Sequence, residues 1–394
     1  MPAKPAADQP SVRAFVINAI SEGRPNLATA LQAHFEISRA TSHNYLREME
    51  REGVITRLRR GQYRLATTIR NFGAFVEGLE EHQVWDEQLK PLLRDLPENV
   101  LTIWEYGCTE MINNVIDHSE SPRIHIETTK SAKSTEIHIT DYGVGIFRKI
   151  ARALNLEDDR HAVLELSKGK VTTDPANHTG EGIFFSSRAF DSFRILSGGV
   201  FFAHDCDDDQ DWILGDEHQP EEIRGTSVFM SLSNNTERQL QDIFDEFATD
   251  TKDYRFDKTV VPVKLLQYGD DRLVSRSQAK RLLARFDRFR TVVLNFDNVE
   301  SIGQAFADEV FRVFPSQHPN IDIVGINANE QVTRMMNRAL SERQPQADLF
   351  ASDASGGGSL GGGPQGGGPQ GGRPEGRSPE GHGPDDTGPE GRNT

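Results

Sequence analysis

Near the start of the chain, apolar residues recur every three to four positions, the spacing of amphipathic helices. Val12, Phe15, Val16, Ala19 and Ile20 predict a helix over residues 11–21, ended by Gly23 and Pro25. A second helix is expected from Asn26, a natural N-cap, through Leu27, Ala30 and Leu31, with a turn at 35–37. Ser38 caps a predicted third helix with Tyr45, Leu46 and Met49 inward, closing at Gly53. Two short strands then read over 54–58 and 62–65, and Arg59, Arg60 and Gly61 form the hairpin between them.

Further along, Phe72, Phe75, Leu79, Trp85, Leu89 and Leu92 stand at near-helical spacing, so residues 67–97 read as a helical linker. Residues 98–119 read as one helix with Leu101, Trp104, Cys108, Met111, Ile112 and Val115 facing a core. Its polar face is unusual: Glu110, Asn114 and His118 stand at i, i+4 and i+8, with Asp117 at i+7. Strand-like runs at 123–128 and 135–140 lead into Asp141-Tyr142-Gly143-Val144-Gly145-Ile146. A second glycine motif, His178-Thr179-Gly180-Glu181-Gly182-Ile183, opens a helical stretch to Phe190, and Arg224-Gly225-Thr226 precedes a strand at 227–232. From Asp257 the pattern alternates strand and helix: strands at 260–266, 291–296 and 321–326, helices at 275–286, 303–314 and from Glu330. That alternation predicts a small parallel or mixed sheet. Beyond residue 351 prolines recur every five residues among Gly, Gln, Glu and Arg, which predicts a disordered pentapeptide-repeat tail over 351–394.

Composition narrows the function classes. A chain of 394 residues with 44 Lys+Arg and 60 Asp+Glu has a net charge of −16 and does not coat nucleic acid along its whole length. The first 66 residues differ, with 10 Lys+Arg against 6 Asp+Glu, so any nucleic-acid contact belongs to the N-terminal end. Two cysteines, Cys108 and Cys206, make no disulfide framework and no cysteine zinc site. With no apolar run approaching the roughly 18 residues of a membrane helix, the expected setting is the cytoplasm, away from membranes.

The first segment, residues 11–66, resembles a winged helix-turn-helix. The resemblance implies a DNA partner, with Arg39, Thr41, Ser42, Asn44 and Arg47 facing a major groove and Arg57, Arg59, Arg60 and Arg64 holding phosphates. The four motifs of residues 98–250, in their order, resemble the Bergerat-fold GHKL ATPase domains of gyrase, MutL and histidine kinases. That resemblance implies an α/β sandwich binding ATP and Mg²⁺. Asp141 would accept the adenine amine, with Thr226 beside it and Gly143 and Gly145 letting backbone approach the base. Asn114 would be the Mg²⁺ ligand, on a helix face shared with Asp117 and His118. Gly180 and Gly182 would aim helix amides at phosphates. Glu110 would be the general base. Residues 147–177 would be a lid whose Lys168 and Lys170 reach the γ-phosphate. Residues 256–343, with Asn295-Phe296-Asp297 and Ser301-Ile302-Gly303-Gln304, resemble STAS-like domains of the DUF4325 type, implying a protein partner. Their phosphorylatable serine aligns here with Ile302, just after Ser301.

The whole reads as a multidomain α/β protein: winged helix, Bergerat sandwich, small STAS-like domain and disordered tail. Its expected activity is Mg²⁺-dependent ATP hydrolysis coupled to DNA binding. Two alternatives stand beside it, a serine/threonine protein kinase acting on a STAS-like partner and a nucleotide-gated scaffold. A homodimer is an expectation from the related ATPases alone.

Overall fold

The computed structural model describes residues 8–172, 179–206, 208–215, 224–249, 255–267 and 272–341. It is a multidomain mixed α/β protein with one large antiparallel sheet, one small parallel sheet and a separate hairpin.

The head is built from α1 (Gln9–Ser21), α2 (Leu27–Phe35), α3 (Arg39–Arg51) and the antiparallel pair β1 (Ile55–Arg59) and β2 (Gln62–Leu65). Asp8 caps α1, its side chain accepting from the Ser11 amide. Ser38 does the same for Thr41 at α3, where the sequence placed a cap. Asn26 precedes α2 without a side-chain cap bond. The inward residues Val12, Val16, Leu27, Leu31, Leu46, Met49, Val54 and Ile55 close a small core of their own.

Next comes β3 (Thr68–Phe75), where the sequence pattern predicted part of a helical linker. It pairs antiparallel with β4 (Arg123–Lys130) along its whole length, Phe72 opposite Ile126. The helix reading fails here because the strand is specified by a partner some fifty residues away, which local periodicity does not register. Residues 81–93 of the linker are helical: α4 (Glu81–Val84), a π turn (Trp85–Leu89) and α5 (Lys90–Leu93).

After α6 (Glu98–His118) the sheet continues through β4 and β5 (Ser134–Asp141), followed by α7 (Ile146–Ala153), α8 (His161–Lys168) and α9 (Gly182–Ala189). Then come β6 (Ser192–Ser197), β7 (Val200–Asp205), β8 (Asp208–Gly215), β9 (Thr226–Ser233) and α10 (Leu240–Glu246). Strand order is β3-β4-β5-β9-β6-β7-β8, every neighbouring pair antiparallel. Alternate residues are buried: Ile124, Ile126, Ile137, Ile139, Val228, Met230, Phe193 and Ile195 join the core with Trp104, Cys108, Met111, Ile112 and Val115 of α6. Trp104 meets Phe190 at 4.7 Å between ring centroids, fixing α6 against the end of α9.

The C-terminal module runs β10 (Lys258–Pro262), α11 (Arg276–Leu283), β11 (Thr291–Asn295), α12 (Gln304–Asp308), a π turn (Glu309–Val313), α13 (Phe314–Gln317), β12 (Asp322–Ile326) and α14 (Glu330–Ser341). Its sheet is parallel, in the order β10-β11-β12. Ser275 and Gln278 form a reciprocal capping box at α11. Gly303 precedes α12, and its amide donates to the Leu273 carbonyl. The predicted repeat tail at 351–394 lies outside the described residues.

Candidate functional site

Helix α6 and the start of α9 face one another beside β5 and β9, and a cavity of about 280 Å³ opens between them. Glu110, Asn114 and His118 line it from one face of α6, as their spacing of four predicts. Asp141 ends β5 and Thr226 starts β9, so two strands deliver both residues to the same wall. Gly180 and Gly182 enter from the α9 side. Seven of the predicted site residues therefore surround one volume.

Asp141 is almost fully buried, and burial pushes its carboxyl above the ordinary carboxylate range. The Gly143 amide donates to its Oδ1 at 2.8 Å, and the Thr226 amide and hydroxyl oppose the shift further. The Thr226 hydroxyl also accepts from the Ile146 amide at 3.1 Å, tying β9 to the start of α7. At the other end, Glu110 lies directly against the first residue of α9: a Cβ on Gly182 would stand 1.9 Å from Glu110 Oε2. Glycine here is what lets the carboxylate and the helix start share the space.

Other predicted residues take different positions. Gly143 and Gly145 form the turn after β5 but line a second cavity, with Tyr142, Arg148 and Arg152, on the turn's other side. A Cβ on Gly143 would meet the Ser119 carbonyl at 1.8 Å, and one on Gly145 would meet Ser197 Oγ at 2.8 Å. The room these glycines leave is filled by the protein itself. Asp117 is exposed on α6 and does not line the cavity.

The lysines expected to reach into the site do not line the cavity. Lys168 is 1% exposed, its ammonium donating to Glu165 at 2.6 Å and to the carbonyls of Ala284 and Arg281 at 3.0 and 3.3 Å. Lys170 donates to the Arg288 carbonyl and lies over the rings of Phe256 and Phe289. Part of the predicted lid is packed core, since α8 carries Ala162, Val163, Leu164 and Leu166 into it. Residues 173–178, including His178, lie outside the described residues.

Sequence reasoning missed cavity residues that carry polar chemistry, Lys149, Glu181 and Thr179 among them. Lys149 lines the cavity from α7, its ammonium 2.6 Å from the His118 carbonyl and 3.6 Å from Glu120. Its position three residues after Ile146, one turn into a helix that starts at the glycine motif, was the available signal. Glu181 is half-buried, which raises its carboxyl against the lowering effect of Lys170 and the Thr179 hydroxyl. Burial, with the charges of Glu110 and Glu181, pushes the Tyr106 phenol well above its ordinary value, so both carboxylates crowd one neighbourhood. Thr179 is the third, flanking the glycine motif.

In the head, Arg39, Asn44, Arg47, Arg57, Arg59, Arg60 and Arg64 are exposed and Thr41 is half-buried. Ser42 departs from the outward reading: it is 0% exposed and donates to the Arg39 carbonyl at 2.9 Å. It occupies the α3 face that Leu46 and Met49 continue, and its place on the outer face is taken by His43. Arg47 donates to Asn44, so these two present a joint donor and acceptor. Among the described residues no helix is long and apolar enough to cross a membrane, and no group of three His, Cys, Asp or Glu is set to hold a metal.

No curated protein matches the sequence. Residues 278–333 match the family described as a STAS-like domain of unknown function, DUF4325, so the parallel-sheet module at the C-terminal end contains a STAS-like domain.

Proposed function

We propose that this chain binds ATP with Mg²⁺ in the α6–α9 cavity, hydrolyses it, and couples nucleotide state to DNA binding by the head. On this reading the antiparallel layer is a Bergerat sandwich and the head a winged helix. One observation carries it: Glu110, Asn114, Asp141, Gly180, Gly182 and Thr226, from segments spread over more than a hundred residues, line a single cavity.

The donors fit the ligand. Asp141 offers a buried acceptor on the cavity wall, and Ile146, Ile183 and Val228 supply an apolar lining for a flat base. Asn114 offers one neutral amide oxygen, which suits a hard cation held chiefly by phosphate oxygens. Bound Mg-ATP would supply the transferable phosphoryl group. Glu110, set against the start of α9, would accept the proton of an attacking water and orient it. Lys149 brings a cation to the same volume and would offset phosphate charge. The exposed arginines of α3 and the hairpin give the head its basic face.

The test follows γ-labelled ATP with purified chain. Free phosphate should appear with the wild type, and Glu110→Ala should slow its release by about 10²- to 10⁴-fold while retaining ATP binding. Asn114→Ala should lose the Mg²⁺-supported release as well. Label retained on the chain would redirect the reading to protein phosphorylation, and no ATP binding would end it.

A further inference from the structure

The segment Lys168–Thr172 joins the cavity to the STAS-like module. At its far end, Val171 and Thr172 line the cavity, and the Val171 amide donates to the Gly180 carbonyl at 3.0 Å. The packing there is tight: a Cβ on Gly180 would stand 2.4 to 2.7 Å from the Val171 backbone. At its near end the segment is held by the module. The Thr259 hydroxyl, on β10, donates to the Lys168 carbonyl at 2.7 Å. Lys170 adopts a left-handed backbone, φ 55°, and its carbonyl accepts from Arg285 and, at 2.7 Å, from Arg288. Arg285 also pairs with Glu165 at 2.8 Å, the same carboxylate that pairs with Lys168. Arg288 is engaged twice, since its own carbonyl accepts from the Lys170 ammonium at 3.0 Å.

We propose that Arg285 and Arg288 are positioning residues for the nucleotide site: the STAS-like module holds the Lys168–Thr172 segment in its cavity-lining place, so ligand binding and module docking stabilise each other. This rests on the nucleotide reading of the cavity. The physical reason is that a non-glycine residue at positive φ persists only where its surroundings hold it. Two guanidinium donors on one carbonyl do so here. Because the segment as clamped borders an open cavity, the docked state is the binding-competent one, and the coupling is positive. Linkage makes it reciprocal, so whatever the module adds to ATP affinity, ATP adds to docking.

The experiment measures Mg-ATP affinity by titration calorimetry, with backbone hydrogen exchange over residues 168–172, in the full chain. Arg285→Met leaves Glu165 paired with Lys168, so no buried charge is stranded. Its affinity should fall about tenfold, within the usual range of couplings between sites, and exchange at 168–172 should rise. Arg288→Ala removes an exposed side chain and should give the same changes at smaller size. Arg285→Lys keeps the charge beside Glu165 but loses the fork that also reaches Lys170; it should restore the melting temperature without restoring affinity. In the wild type, ATP should slow exchange in β10. Wild-type affinity in both Arg285→Met and Arg288→Ala would overturn the proposal. A wild-type chain that binds no ATP would instead overturn the nucleotide reading, and the linkage with it.

Discussion

The head and the contact between α8 and the STAS-like module use the same residue types in opposite ways. Arg57, Arg59 and Arg60 stand exposed on a hairpin. Lys168 and Arg285 are wrapped by Glu165 and by backbone carbonyls, with Lys168 fully buried. Burial pushes the Lys168 ammonium below the usual lysine range, and Glu165 opposes that shift. An exposed cation keeps its hydration until a phosphate displaces it, whereas a buried one has given up water for a fixed set of protein oxygens. The first arrangement suits a ligand that comes and goes. The second suits a joint whose geometry is to be kept.

This contrast can be broken by mutation. The largest effect is expected at Lys168→Ala, which strands part of the Glu165 charge and empties a packed site: about 3 to 5 kcal/mol of stability should be lost in denaturant melts. Gly143→Ala tests the close backbone approach that shapes the turn after Asp141. With the Ser119 carbonyl 1.8 Å from the added atom, about 1 to 3 kcal/mol should be lost by the same measurement. Arg59→Ala with Arg60→Ala should leave stability within about 0.5 kcal/mol per site. The same pair should lower the salt slope of DNA binding by about two units. A DNA affinity and slope unchanged in that pair would remove the head from DNA recognition.

The smallest effect is a pH dependence at the cavity wall. Asp141 is raised in the folded state, chiefly by burial. Its protonated form therefore favours folding: the contribution is full below the ordinary carboxylate range and is lost as pH rises through the raised folded value. Asp141→Asn should flatten stability against pH across that window, as read by thermal melts at stepped pH. A curve parallel to the wild type would place the titration elsewhere.

The candidate site was legible where a motif lies within one element. Glu110, Asn114 and His118 share a helix face, and a spacing of four fixes that before any fold is known. The second glycine motif opens a helix as read, yet the room at Gly143 and Gly182 serves Ser119 and Glu110. Which neighbour fills a glycine's space depends on segments far away in the chain. Lys168 and Lys170 lie outside the cavity lining for a related reason. Their partners Ala284, Arg281 and Arg288 lie more than a hundred residues on, so the local sequence that suggested a phosphate-reaching lid gives no sign of them.

By itself, the sequence determined the helical head with its capped third helix, the polar face of α6, the strand and helix alternation of the C-terminal module and the uneven division of charge. All of these follow from residue type and short-range periodicity. Tertiary structure alone decided that β3 is a strand, that Ser42 faces inward, that Lys149 and Glu181 reach the cavity, and that the supposed lid is clamped to the STAS-like module. Each of those outcomes depends on hydrogen bonds and burial between distant segments. Their free energy appears only once the chain has brought those segments together.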